Sequence, residues 1–192
     1  MKRRLLYFIT GFMKCRLIHS DNGRPYLERY YVGKFFGRYY FLHRFVNPHS
    51  DEWLHDHPYD RATSRVLAGG YRERRARLLG TYACYPDGYD RLVDLVMKPD
   101  RYVTRSNSLR RGDFHQIVAI EPETWTLFSH GEWAGDWGAA EPMNDRFSRM
   151  LRQGGGDIRR FGYRIIRGRP GWWLSLEVRR GWKAGREPFK TK

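Results

Sequence analysis

The residues of this sequence with the greatest capacity for chemistry are two histidines one position apart, in Trp53-Leu54-His55-Asp56-His57-Pro58-Tyr59-Asp60. Imidazoles ligate divalent transition metals and exchange protons near neutral pH. On a strand, positions i and i+2 project from one face about 7 Å apart at their α-carbons, close enough for two rings to share an ion. A third ligand must then come from a distant strand. His115 is the best placed, because Arg111-Gly112-Asp113 forms a turn that delivers it at the start of the apolar run His115 to Ile120. His43 lies on an aromatic strand face, open to a supporting role, a fourth-ligand role or simple burial. His130 precedes Gly131 and reads as a turn residue, while His19 and His49 fall in loops. Without a metal, the same His-Asp-His-Pro segment reads as a polar turn whose histidines cap backbone groups.

These side chains need a scaffold, and the surrounding sequence points to strands. Tyr26 to Gly33 and Arg38 to Val46 are rich in aromatic and β-branched residues and flank a turn at Gly33 to Gly37, which predicts a hairpin with Tyr39, Phe41, His43 and Phe45 on one face. Further strands are expected in Ser64 to Arg74 with a tight turn at Gly69-Gly70, in Arg91 to Met97 and Arg101 to Arg105 on either side of a Lys98-Pro99-Asp100 turn, and in His115 to Ile120 and Thr124 to Gly131 around Glu121-Pro122-Glu123. Many short strands punctuated by turns predict a mainly β sandwich or barrel. Asp145 to Arg152 suggests a short helix and Gly154 to Gly156 a flexible break. Phe161 to Gly168 and Trp172 to Gly181 suggest a final strand pair.

The ordered motifs resemble those of the cupin superfamily. The first, H-x-H followed by a Gly, is His55-Asp56-His57 with Gly69. The second, P-x-G-x-x-H, is Arg110-Arg111-Gly112-Asp113-Phe114-His115, with Arg110 where the proline usually stands. Residues 24–138 as a whole resemble small bacterial and phage cupin proteins. The resemblance implies a cupin-type double-stranded β-helix, a jelly-roll barrel, with residues 1–23 as an N-terminal strand or helix packed on it. Residues 139–192 would form a basic C-terminal extension. It also implies a divalent metal on His55, His57 and His115. Cupins with four protein ligands carry a Glu four or five residues after the second histidine, where this chain has Arg61 and Ala62. Either Asp60 substitutes, or the site is a three-histidine one resembling the thiol-dioxygenase branch, which favours Fe(II) over Zn, Mn or Ni. In that reading Tyr59 and Asp60 are the candidate catalytic groups, positioning substrate or moving a proton.

Composition bounds the partners. The 192 residues carry 36 Lys and Arg against 21 Asp and Glu, a net charge of +15, which favours an anionic substrate or nucleic acid. From Arg146 to Lys192 there are 14 Lys and Arg but only three acidic residues, Asp157, Glu177 and Glu187. Trp172, Trp173 and Trp182 lie among them, so the alternative reading is a non-catalytic scaffold that binds nucleic acid through this region. A cytoplasmic setting is expected, since Cys15 and Cys84 form no disulfide or zinc motif. The apolar run Leu5 to Met13 ends in Lys14 without a cleavage site and is too short for a membrane span. A homodimer is compatible with the family resemblance, and no membrane partner is expected.

Overall fold

The computed structural model describes residues 2–19, 23–47, 53–83, 88–143, 157–166 and 178–180. Among them are one helix, α1 (Lys2–Gly11), and thirteen strands. The strands are β1 (Lys14–His19), β2 (Pro25–Phe35), β3 (Arg38–Phe45), β4 (Leu54–His55), β5 (Arg61–Ala68), β6 (Tyr71–Ala83), β7 (Arg91–Val103), β8 (Ser106–Arg110), β9 (Asp113–Ile120), β10 (Trp125–His130), β11 (Gly138–Pro142), β12 (Ile158–Ile165) and β13 (Val178–Arg180). The mainly β expectation holds. All pairings are antiparallel and fall into two units. One is a seven-stranded sheet ordered β13-β1-β2-β3-β10-β5-β8, and the other is a closed barrel of β11-β12-β7-β6-β9-β4.

The predicted hairpin forms as β2 and β3, but its turn is tighter than the glycines suggest. Phe35 pairs with Arg38, so only Phe36 and Gly37 make the turn, both with positive φ. Such a turn matches strand twist and normally takes Asn or Gly at both positions. The turn expected at Lys98-Pro99-Asp100 does not occur, because β7 runs continuously through it. Glu73 pairs with Arg101 and Arg75 with Lys98, so Pro99 and Asp100 together oppose Arg74 in a bulge. There, among the described residues, β7 has no strand on its other side, so the missing proline N–H breaks no ladder. The C-terminal strand pair also separates. Strand β12 joins β11 and β7 inside the barrel, while β13 adds to β1 at the edge of the sheet. The expected helix at 145–152, the glycine triplet, and Trp172, Trp173 and Trp182 lie outside the described residues.

Residue parity sends neighbouring side chains to different cores. Leu54 of β4, Phe114 of β9 and Ala76 of β6 join Val93, Leu95, Phe161 and Tyr163 in the barrel's own core. The next residues, His55 and His115, take the opposite face and look toward the seven-stranded sheet. On the outer face of that sheet, Trp125, Tyr30 and Leu42 pack beneath Leu6, Tyr7 and Met13 at the N-terminal helix. Helix α1 is further held by the Tyr7 hydroxyl, which donates to the Glu123 carboxylate. Between barrel and sheet lies a cavity of about 440 Å³, a size typical of small-molecule sites.

Candidate metal centre

Strand β4 is two residues long, and its brevity shapes the site. His55 pairs with His115 of β9 on one side and Ala139 of β11 on the other. Past the end of β4, Asp56 still donates its N–H to the Gly138 carbonyl at 3.2 Å. Its carboxylate accepts the Gly138 N–H at 2.7 Å and the Tyr163 hydroxyl at 3.0 Å. Burial raises the Asp56 pKa to about 6 despite these bonds. The strand expected to align His55 and His57 ends at His55, and His57 reaches the site from the following segment. That segment is held by an N–H···O bond from Ala134 to the Pro58 carbonyl at 2.6 Å. Gly112, with φ +80, turns the chain from β8 into β9 and sets His115 in place.

The three histidines converge at the cavity. One ligand nitrogen from each lies within 4.8 Å of the others, and the Nε2 atoms of His57 and His115 are 3.0 Å apart. Two nitrogens bonded to one ion at about 2.1 Å sit about 3.0 Å apart at 90° and about 3.4 Å apart at the tetrahedral angle. The observed separation fits a shared divalent cation. Protonation favours it as well. Burial, followed by the neighbouring His115, lowers the His55 pKa to about 3 and holds His57 well below its usual value. Their lone pairs are therefore available at neutral pH. One ring nitrogen of His55 also bonds the Trp53 backbone.

A carboxylate does contribute, though from a place the motif spacing does not indicate. Glu73 of β6 is fully buried, and its Oε1 accepts from His115 Nδ1 at 2.8 Å and from Asn107 Nδ2 at 2.6 Å. Its Oε2 accepts from Arg101 Nε at 3.0 Å. Burial alone would raise the Glu73 pKa, but His115 and Arg101 outweigh it and hold the group at about 2. An ionised Glu73 accepts only, so the shared proton sits on His115 Nδ1 and Nε2 faces the site. Glu73 orients His115 and lies outside the three-histidine cluster. At the position where a fourth ligand would follow the two histidines, Ala62 lines the cavity with a methyl group and Arg61 is exposed.

Of the other expected groups, Tyr59 lines the cavity and stacks on His130, with ring centroids 3.7 Å apart. Its hydroxyl accepts a hydrogen bond from Arg29, and burial raises its pKa, so it stays protonated. Asp60 is exposed and absent from the cavity wall, and its backbone carbonyl accepts the Arg111 N–H at 3.1 Å. His43 lines the cavity outside the ligand cluster and stacks on Phe128 at 5.0 Å. His130 is buried and donates Nδ1–H to the Gly131 carbonyl at 2.7 Å. Arg29 appears in no sequence motif. It sits in the wall with its guanidinium carbon 3.9 Å from the centre of the Phe41 ring.

The basic C-terminal region is only partly described. Within it Arg159, Arg160 and Arg164 pair with Asp157, Asp94 and Glu141. Cys15 is buried. Among the described residues no helix is long and apolar enough to cross a membrane. A β-rich barrel with a three-histidine cluster is compatible with a cupin-like fold. Comparison with protein-family models and with curated protein sequences finds no match to this chain.

Proposed function

We propose that His55, His57 and His115 hold a divalent cation and that the protein is a metal-dependent enzyme acting on a small molecule in the adjoining cavity. The observation that carries this reading is the convergence of three imidazole nitrogens, with His115 aimed by a buried ionised carboxylate. Imidazole donors suit Fe, Zn, Ni and Cu, and the resemblance to three-histidine cupins favours Fe(II) and oxygenase-type chemistry. A divalent ion bound there supplies Lewis acidity and, with only three protein ligands, open coordination positions.

The chain's own groups prepare the site. Glu73 fixes the His115 tautomer and ring orientation, so the Nε2 lone pair need not reorganise. Tyr59 keeps its proton and presents a hydroxyl held by Arg29, which suits it to orient a substrate oxygen or supply a proton. Phe128 and Trp137 line the walls beside the histidines and limit water around a bound substrate. Ala62 leaves room where a fourth ligand would crowd the ion.

Metal analysis of untagged protein tests the proposal against a His55→Ala/His57→Ala variant shown to be folded by circular dichroism. Stoichiometric metal in the wild type and its loss in the variant are expected. Equal metal content in the two would sink the proposal.

A further inference from the structure

The cavity wall carries information about its occupant beyond the metal centre. No Asp or Glu side chain lines it among the described residues, and its one permanently charged group is Arg29. Burial lowers the Arg29 pKa only to about 10, so the guanidinium remains a cation at neutral pH. A buried positive charge in a wall without acidic side chains favours an anionic ligand.

The residues beside Arg29 locate the acid-binding end. Arg29 of β2 is the register partner of His43 on β3, and His43 is the partner of Thr126 on β10. All three line the cavity in one row across the seven-stranded sheet. His43 is 7% exposed and Thr126 fully buried, yet His43 Nε2 and Thr126 Oγ1 have no hydrogen-bond partner among the described residues. Protein interiors rarely leave such atoms unmet, so the row is one that a ligand's polar end can complete. Phe128 lies between the row and the cluster, its ring 5.0 Å from that of His43 and 6.2 Å from that of His57, which puts the row on the histidine side of the cavity. Much of the remaining wall is apolar, including Leu27, Phe45, Leu109, Ile117 and Ile166.

We propose that the cavity binds a monocarboxylic acid with an apolar body, its carboxylate on Arg29, His43 and Thr126 and its chain or ring against the aliphatic and aromatic wall. A guanidinium offers two parallel N–H groups to a carboxylate's two oxygens, and the hydroxyl and imidazole can each add a hydrogen bond. This deepens the metal-enzyme reading by naming its substrate class, but the acid-binding row uses none of the three metal-ligand candidates. The two readings can therefore fail separately.

The test is calorimetric titration of chelator-treated full-length protein with octanoate and with octanamide, repeated after addition of Zn²⁺. Wild type is expected to bind octanoate at least about tenfold more tightly than the amide. Arg29→Met abolishes that preference while the apolar body still binds. Thr126→Val, nearly isosteric in the same row, narrows it severalfold without disturbing the fold. Should Arg29→Met not fold, the wild-type acid-to-amide ratio and the Thr126→Val series decide the matter. Equal affinity for acid and amide, failure of both to bind, or an acid preference unchanged in Arg29→Met would overturn the proposal. Acid selectivity without metal binding leaves it standing and removes only the metal reading.

Discussion

Replacing Glu73 with Gln keeps the shape of a fully buried side chain and removes its charge. The carboxylate accepts from three groups: His115 and Asn107 on Oε1, and Arg101 on Oε2. A glutamine cannot accept on both sides. With its oxygen toward His115 and Asn107, its NH₂ faces the Arg101 guanidinium; flipped, its NH₂ faces the other two donors. His115 loses orientation or Arg101 loses its ion pair, and the ligand's basicity falls either way. Supporting carboxylates of this kind are worth about 10- to 100-fold in metal affinity, or about 1.4–2.7 kcal/mol. Stability should change too. The folded Glu73 pKa of about 2, against an ordinary 4.5, corresponds to about 3 kcal/mol at most. Because the folded pKa is the lower one, that contribution is whole above about pH 4.5 and drains away as pH falls toward 2. Chelator competition with Zn²⁺ measures the first effect. Urea melts of wild type and Glu73→Gln between pH 6 and pH 3 measure the second, and their stability difference should shrink on acidification. A variant affinity within about threefold of wild type, with a stability difference constant across that range, would refute the role given to Glu73.

Two further outcomes follow from backbone geometry. Gly138→Ala drives a methyl into the Arg164 carbonyl oxygen, on the residue whose N–H anchors Asp56, so β11 must shift and His55 with it. Such overpacking costs about 1–3 kcal/mol, and this substitution should lower Tm and weaken metal binding together; an unchanged Tm would contradict the packing described at β11. Phe36 is fully exposed at φ +50, a conformation costly for a bulky residue, so Phe36→Asn should stabilise the fold by about 1 kcal/mol in urea melts. A stability loss on that substitution would show that the ring contributes contacts its exposure does not reveal.

The parts of this structure legible in the sequence are those governed by local pattern. His55 and His57 stand out by spacing, and His115 by the glycine turn before it, because ligand rings must be delivered from strand ends. The hairpin of β2 and β3 follows from aromatic runs on either side of a glycine-containing turn. Glu73 was not legible, since in Tyr71-Arg72-Glu73-Arg74-Arg75 it looks like one more surface charge. Strand alternation puts it on the face of buried Tyr71, and the pairing of β6 with β9 brings that face beside His115. Arg29 is hidden for a similar reason. It lies in Leu27-Glu28-Arg29-Tyr30, and both of its charged positions are buried because β2 is covered on one face by α1 and on the other by the barrel. Pro99 suggests a turn, yet it sits in β7 because a bulge with no strand on its far side among the described residues absorbs the proline that a central strand would reject.

The two-residue strand β4 gives the barrel a seam. Elsewhere the barrel is joined by long ladders, including the 13-residue strands β6 and β7, whereas here, among the described residues, its ladder pairs are those of Leu54 and His55, extended by the bonds of Asp56 to Gly138. The same short segment carries one histidine of the cluster, is followed at once by another, and lies against the strand that carries the third. An ion shared by the three would act as a rivet across the seam, tying β4 and the segment after it to β9. Opening of the barrel and release of the ion would then be a single event, and the chemistry of the site and the closure of the fold would share one fastening.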